Sequence, residues 1–273
     1  MRRVFCGAAA AALVILTAAA AAAQTGAPAP GPWPPQQQGF WPLGALAPEN
    51  LRKPRAPAPV DLTGTWLIVP DAKTGGVSTF RPMPKLKPEA QRLFELGQQA
   101  NAEGKAFRDD TGACWPAGMP KYMNRVWPIQ IFQLPTMILM VQQLNNQLRW
   151  IYLDGRGHAD PEIAPPTYNG DSIGRWEGDT LVIDTTQFEP TRHWVEQGVP
   201  VSKQFHIVER IRLAEGGKAM LVTLIMTDPV NWEGEWVNEK RYLRVDDQDS
   251  GEVQCLPDLN DHLPATGPQH NVR

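Results

Sequence analysis

Glu209 is a carboxylate where the surrounding pattern asks for an apolar side chain. In the run Lys203–Leu213, Phe205, Ile207, Ile211 and Leu213 recur at alternate positions, and Glu209 falls among them. In a strand, that period places all of them on one face. A carboxylate there is costly unless it is paired, hydrogen-bonded or protonated. Two roles fit the position. One is a buried ion pair, with Arg175, Arg210 or Arg241 as the partner; the other is a general acid or base inside a β-sheet core. His206 alternates with Glu209 and is expected to face outward.

A second constellation stands at Trp150–His158. Leu148, Trp150 and Tyr152 share a face, Asp154 comes next on it, and Gly155-Arg156-Gly157-His158 leaves the strand end as a loop. Asp154, Arg156 and His158 can then rim a pocket walled by Trp150 and Tyr152, where a histidine near a carboxylate suits proton transfer at neutral pH. The structural alternatives are an Asp154 that caps a turn, a surface pair for Arg156 and a structural His158. A third cluster is Trp176, Glu177, Asp179 and Asp184. Asp179 suits a turn fixed through its own backbone, and Asp184 falls on the face of Val182 rather than that of Leu181 and Ile183. The candidates for proton transfer are thus Asp154, His158 and Glu209. Those for ligand contact are Trp66, Trp150, Tyr152, Arg156, Trp176 and Arg210.

Other chemistries are disfavoured. The sequence has no His-X-His, Cys-X-X-Cys or His-Glu-X-X-His, so no tightly bound metal is expected. No Gly-rich phosphate loop precedes a helix, so no nucleotide and no other cofactor is expected. Gly170-Asp171-Ser172-Ile173-Gly174 matches Gly-X-Ser-X-Gly, but that motif needs a helix after the turn, and a strand follows here.

The elements that must position these residues read as short strands: Leu62–Val69, Ile129–Gln133, Thr136–Gln142, Gln147–Leu153, Thr180–Thr186, Lys203–Leu213, Lys218–Met226 and Lys240–Val245. Asn145-Asn146 and Glu215-Gly216-Gly217 read as hairpin turns. Asn169–Asp179 reads as a tight turn, with Gly174, Gly178 and Asp179 suited to positive φ. One helix is expected from Pro88 to Gly104, with Ala90, Leu93, Phe94, Gly97 and Ala100 on one face. This is an all-β chain, an antiparallel barrel or flattened sandwich with one α-helix. A barrel of that strand number is wide enough to hold one small ligand.

The ends of the chain bound its compartment. Met1–Ala23 has a basic start at Arg2 and Arg3, an Ala-rich apolar core and a small-residue end, the pattern of a secretory signal. Residues 24–59 form a Pro-rich leader, extended in expectation, with Trp33, Phe40 and Trp41 available to dock on the domain or on a partner. Residues 60–257 make one domain and 258–273 a C-terminal tail. Without residues 1–23 the chain has 24 Lys+Arg against 29 Asp+Glu, a net of −5, which argues against nucleic acid as a partner. No later segment is long and apolar enough to span a bilayer. The chain is therefore expected to be periplasmic or secreted, in an oligomeric state the sequence does not give. Cys114 and Cys255 then remain; in an exported chain they most simply form a disulfide, with a metal pair or a thiol nucleophile as the alternatives.

From Asp61 to Cys255 the chain resembles a large family of poorly characterised exported bacterial proteins. The resemblance is carried by Asp61–Trp66 (Asp-Leu-Thr-Gly-Thr-Trp), Pro88–Gln91, Cys114–Pro120, Tyr152–His158, Gly170–Val182, Glu209–Arg212 and Cys255. It implies export and attaches no activity. The chain departs from the pattern at Asp171 and Val201, where such proteins often have His. Gly64-Thr65-Trp66 also resembles the opening of lipocalin-like barrels, where the Trp plugs the base. The resulting expectation is an exported small-molecule-binding barrel whose ligand is partly apolar. The alternative is a metal- and nucleotide-independent lyase, isomerase or hydrolase.

Overall fold

The computed structural model describes residues 43–71, 76–77, 80–103, 106–107, 114–256 and 265–266. The expected signal, the leader up to residue 42 and most of the C-terminal tail lie outside the described residues.

Nine strands close into a barrel: β1 (Gly64–Ile68), β3 (Ile129–Gln133), β4 (Met137–Gln142), β5 (Gln147–Tyr152), β6 (Asp171–Glu177), β7 (Thr180–Thr186), β10 (His206–Ala214), β11 (Ala219–Thr227) and β12 (Trp236–Arg244). The order around the barrel is β1-β12-β11-β10-β7-β6-β5-β4-β3, and β3 returns to β1. Two short pairs stand outside it: β2 (Ala106–Phe107) with β13 (Ala265–Thr266), and β8 (Trp194–Glu196) with β9 (Val199–Pro200). The long helix is α2 (Pro88–Ala102), opened by Pro88 and burying Ala90, Leu93, Gly97 and Ala100. Within the Pro-rich leader, expected to be extended, Pro48–Arg52 forms a short helix, α1, anchored by the buried Asn50.

An odd number of strands cannot alternate direction all the way round a closed sheet, so one neighbouring pair must be parallel. That pair is β5 and β6, joined in register only at Ile151 with Ser172 and Tyr152 with Ile173. The chain crosses from the end of β5 through residues 153–170 to begin β6. This seam is the thinnest part of the wall, and the polar residues singled out from sequence gather around it.

The ladder registers set one inward row. Glu209 lies opposite Leu224 and Ile183, Ile211 opposite Val222 and Leu181, and Met140 opposite Arg149 and Ile131. Trp66 closes one end of the core: it is fully buried, donates from Nε1 to the Leu62 carbonyl at 3.0 Å and carries Arg244 over its ring at 4.5 Å. The other end is sealed by aromatic rings, with Trp232–Trp236 centroids at 5.4 Å and Phe188–Phe205 at 4.8 Å.

Two sequence readings change. Asp171–Glu177, read as a turn, is strand β6, and the turn is confined to Gly178 (φ 61°) and Asp179, which does not take the positive φ expected of it. Gly174 is there for proximity and not for positive φ: a Cβ on it would lie 2.8 Å from Leu153 Cδ2 and 3.1 Å from Ile151 Cγ2. Asn145 and Asn146 do make the expected tight hairpin, with φ of 59° and 44°. Cys114 and Cys255 are joined in a disulfide with Cα atoms 5.5 Å apart.

Candidate functional site

Glu209 points into the barrel, as its neighbours on the strand require, and it is paired. The partner is Arg149 on β5, not Arg175, Arg210 or Arg241. Nη1 of Arg149 donates to Glu209 Oε1 at 3.0 Å, and Nη2 donates to Oε2. Nη2 also reaches Ser172 Oγ and Thr185 Oγ1, each at 3.2 Å, and those hydroxyls lie 3.0 Å apart. The two charged side chains are 1% and 0% exposed. One guanidinium thus ties β5 to β6, β7 and β10 across the parallel seam. The phenols of Tyr122 and Tyr242 share this interior, and burial pushes both well up from the usual tyrosine range.

Arg149 escaped the sequence reading because apolar bulk on β5 pointed to the wrong face. Leu148 and Trp150 face outward, 47% and 41% exposed, while Gln147, Arg149 and Ile151 are buried. A shift of one residue exchanges the two faces of a strand. The expected pocket wall of Trp150 and Tyr152 is therefore on the outside of the barrel. The signal that could have found Arg149 was Glu209 itself, which needs a cation on an inward row.

Asp154 and Arg156 form their own unit beyond the end of β5. Arg156 donates from Nε to Asp154 Oδ1 at 2.8 Å and from Nη2 to Oδ2 at 2.6 Å, and its guanidinium lies 4.1 Å from the Tyr152 ring centroid. Asn50 of α1 donates to Asp154 Oδ2 at 2.8 Å. Burial pushes the Asp154 carboxyl up, but the hydrogen bonds from Arg156 and Asn50 outweigh it and leave it below its usual range. Asp154 is thus a fixed carboxylate that anchors α1 to the barrel.

His158 stands in a separate network on the outer face of β6, β7 and β10. Its Nδ1 lies 2.8 Å from Asp171 Oδ2, and its Nε2 lies 2.9 Å from Asp184 Oδ1. His206, outward as expected, places Nε2 3.0 Å from the same Asp184 oxygen. The hydrogen bond to Asp171 raises the His158 pKa, burial opposes it, and Asp184 adds to the rise. Among the described residues, no group of three His, Cys, Asp or Glu side chains is arranged to hold a metal ion.

Of the ligand candidates, Trp66 is the end plug, Arg210 is exposed and paired with Glu177 at 2.9 Å, and Trp176 borders a cleft. That cleft, of about 780 Å³, lies between the segment following α1 and the residues of the β3–β4 turn, the end of β5 and Trp176 of β6. Leu134, Pro135, Leu153 and Trp176 supply its apolar surface, and Lys53, Arg55, Asp61 and Asp154 its charges. Arg55 donates from Nη1 to the Asn50 carbonyl at 2.6 Å, which ties the outer wall to α1. Lys53 and Arg55 were not singled out from sequence, because a basic pair in a Pro-rich leader carries no positional signal by itself.

No protein-family model matches this sequence, and no curated protein matches it. Among solved structures, a crystal structure of a mutant of the fluorescent protein UnaG is similar, with 12% sequence identity and a TM-score of 0.30, covering 67% of this chain and 95% of that one. Among the described residues, no helix is long and apolar enough to cross a membrane. The barrel itself rests on this chain's own hydrogen-bonded ladder, which closes from β3 to β1.

Proposed function

We propose that this is an exported protein that binds a small, partly apolar molecule, and that the ligand sits in the cleft beside Trp176. The observation that carries the reading is the cleft of about 780 Å³ with Trp176, Leu153, Leu134 and Pro135 on its walls and Lys53 and Arg55 at its edge. A concave site within the usual size range, mostly apolar with a few placed polar groups, is the ordinary form of a ligand pocket. The barrel interior is a poorer host, because Trp66, Met140, Ile151, Tyr242 and the Arg149–Glu209 pair occupy it. Export rests on the signal pattern of Met1–Ala23, and the Cys114–Cys255 disulfide is compatible with an oxidising compartment.

The enzyme alternative loses support from the same geometry. Asp154, His158 and Glu209 are held in three separate hydrogen-bond networks, and each is engaged by partners of opposite charge. A proton-transfer site needs its groups within reach of one reacting atom.

The test is mass spectrometry of small molecules extracted from natively purified mature protein and from a Leu134→Arg variant. Leu134 is 39% exposed on the cleft wall, so the arginine obstructs the cleft and removes little packing. A molecule recovered from the natural chain and depleted in the variant supports the reading. Recovery of equal amounts from both places the ligand elsewhere and refutes it.

A further inference from the structure

Both ring nitrogens of His158 face carboxylate oxygens, Asp171 Oδ2 at 2.8 Å and Asp184 Oδ1 at 2.9 Å. A carboxylate oxygen only accepts, so hydrogen bonds at Nδ1 and Nε2 together require both ring nitrogens to carry protons. That is the imidazolium. A neutral ring donates at one nitrogen and presents a lone pair to a carboxylate at the other.

This contact fixes a particular piece of chain. His158 lies in the crossover between β5 and β6, where the barrel wall has only two paired positions. The first part of the crossover is tied at its start by Asp154 and Arg156 and, at residues 158–159, by His158, the Ala159 amide on Asp171 Oδ2 at 3.0 Å and Gln187 on the Ala159 carbonyl, while Thr167 and Tyr168 hold its far end through backbone hydrogen bonds to Gln187 and Met119. Between these ties, Gly155 has φ of 82°, and a Cβ added at Gly155 or Gly157 would meet nothing within 4 Å. Leu153, Asp154 and Gly155 are also part of the cleft wall.

The geometry points to a proton-operated latch: protonated His158 pins the crossover against β6 and β7 and holds the cleft wall in place, and loss of that proton releases it. This deepens the binding reading by assigning the same cleft a pH-dependent wall.

The charged groups around the latch set its direction. Asp171 of β6 and Asp184 of β7 face the ring directly, and His206 of β10 reaches it through Asp184. Arg156 and Asp154 lie beyond, both within electrostatic reach of Tyr152, as is Asp171. Because folding raises the His158 pKa from 6.5, its stabilisation is complete below that value and is lost as pH rises through the folded value. Asp184 acts in the opposite sense. Burial pushes it up, but hydrogen bonds from His158 and His206 outweigh that and hold it below 3.8, so its share is lost as pH falls through its folded value. The latch is closed between those limits.

The test is amide hydrogen exchange of residues 153–160 from pH 5.5 to 9.5, corrected for intrinsic exchange, in the natural chain and in His158→Gln, His206→Gln and Asp184→Asn variants. Protection in the natural chain should fall by about tenfold on the alkaline side, as expected for loss of one charge-assisted hydrogen bond. His206→Gln should retain the fall. His158→Gln should start from low protection and show no alkaline step, and Asp184→Asn, which leaves Asp171 on the ring, should keep a step displaced to lower pH. Protection that is flat with pH in the natural chain, or a step that survives in His158→Gln, overturns the latch. The readout needs no ligand, so a cleft that binds nothing leaves this test standing and sinks only the binding reading.

Discussion

Removing the Glu209 carboxylate separates a structural role from a catalytic one. In Glu209→Ala, Arg149 keeps Ser172 and Thr185 as acceptors but loses both carboxylate contacts while 1% exposed. An uncompensated buried charge of this kind costs ~3–5 kcal/mol, even where the intact pair adds little net stability. For a domain of this size each kcal/mol lowers Tm by roughly 2–4 °C, so a fall of about 6–20 °C is expected. Urea unfolding followed by tryptophan fluorescence supplies the free energy, with Arg149→Met, Glu209→Leu and their combination completing a double-mutant cycle. The double variant should recover most of the loss, because neither charge is then left alone in the core. A loss below about 1 kcal/mol in Glu209→Ala would falsify the strut, and a double variant no better than the worse single one would show that the pair is not the coupled unit.

Three further outcomes follow from the same contacts. Replacing Cys114 and Cys255 with serine opens a loop spanning 141 residues of sequence and should lower stability by up to roughly 5 kcal/mol in the chain-entropy model, read from urea midpoints of the oxidised protein and the variant. Asp154→Asn should loosen α1 and flatten the acid limb of stability. The lowered Asp154 pKa contributes above 3.8 and is lost as pH falls through the folded value, so a variant with an unchanged acid limb removes that assignment. Gly170→Ala should cost more than Gly155→Ala by thermal denaturation, since both have positive φ but only at Gly170 would a Cβ meet backbone, 2.6 Å from the Thr186 carbonyl.

The β-architecture was legible because alternation is local. The inward rows of β10, β11 and β12 follow from residues two apart, and Asn145-Asn146 and Gly178-Asp179 have the side chains their turns demand. Asp171–Glu177 was misread because a glycine is ambiguous: at 174 it serves close packing against Leu153 rather than a turn. Trp150 was placed inside because apolar size is ordinarily a guide to burial, whereas on β5 the buried position belongs to an arginine.

The sequence by itself determined that Glu209 must be buried and compensated, since an alternating strand leaves a carboxylate no other way onto an apolar face. The cysteine pair was legible differently, as the simplest pairing of the two cysteines left in an exported chain. Only the tertiary structure decided what compensates Glu209, because Arg149 stands 60 residues away and meets it across the barrel, from a strand whose face is fixed by its neighbours. The same holds for the cleft and the latch. Lys53 and Trp176, and His158 and Asp184, are brought together by barrel closure and by the single parallel seam that an odd strand number imposes. Local pattern specifies a face, whereas a partner across the sheet is chosen by register and closure, which depend on every strand at once.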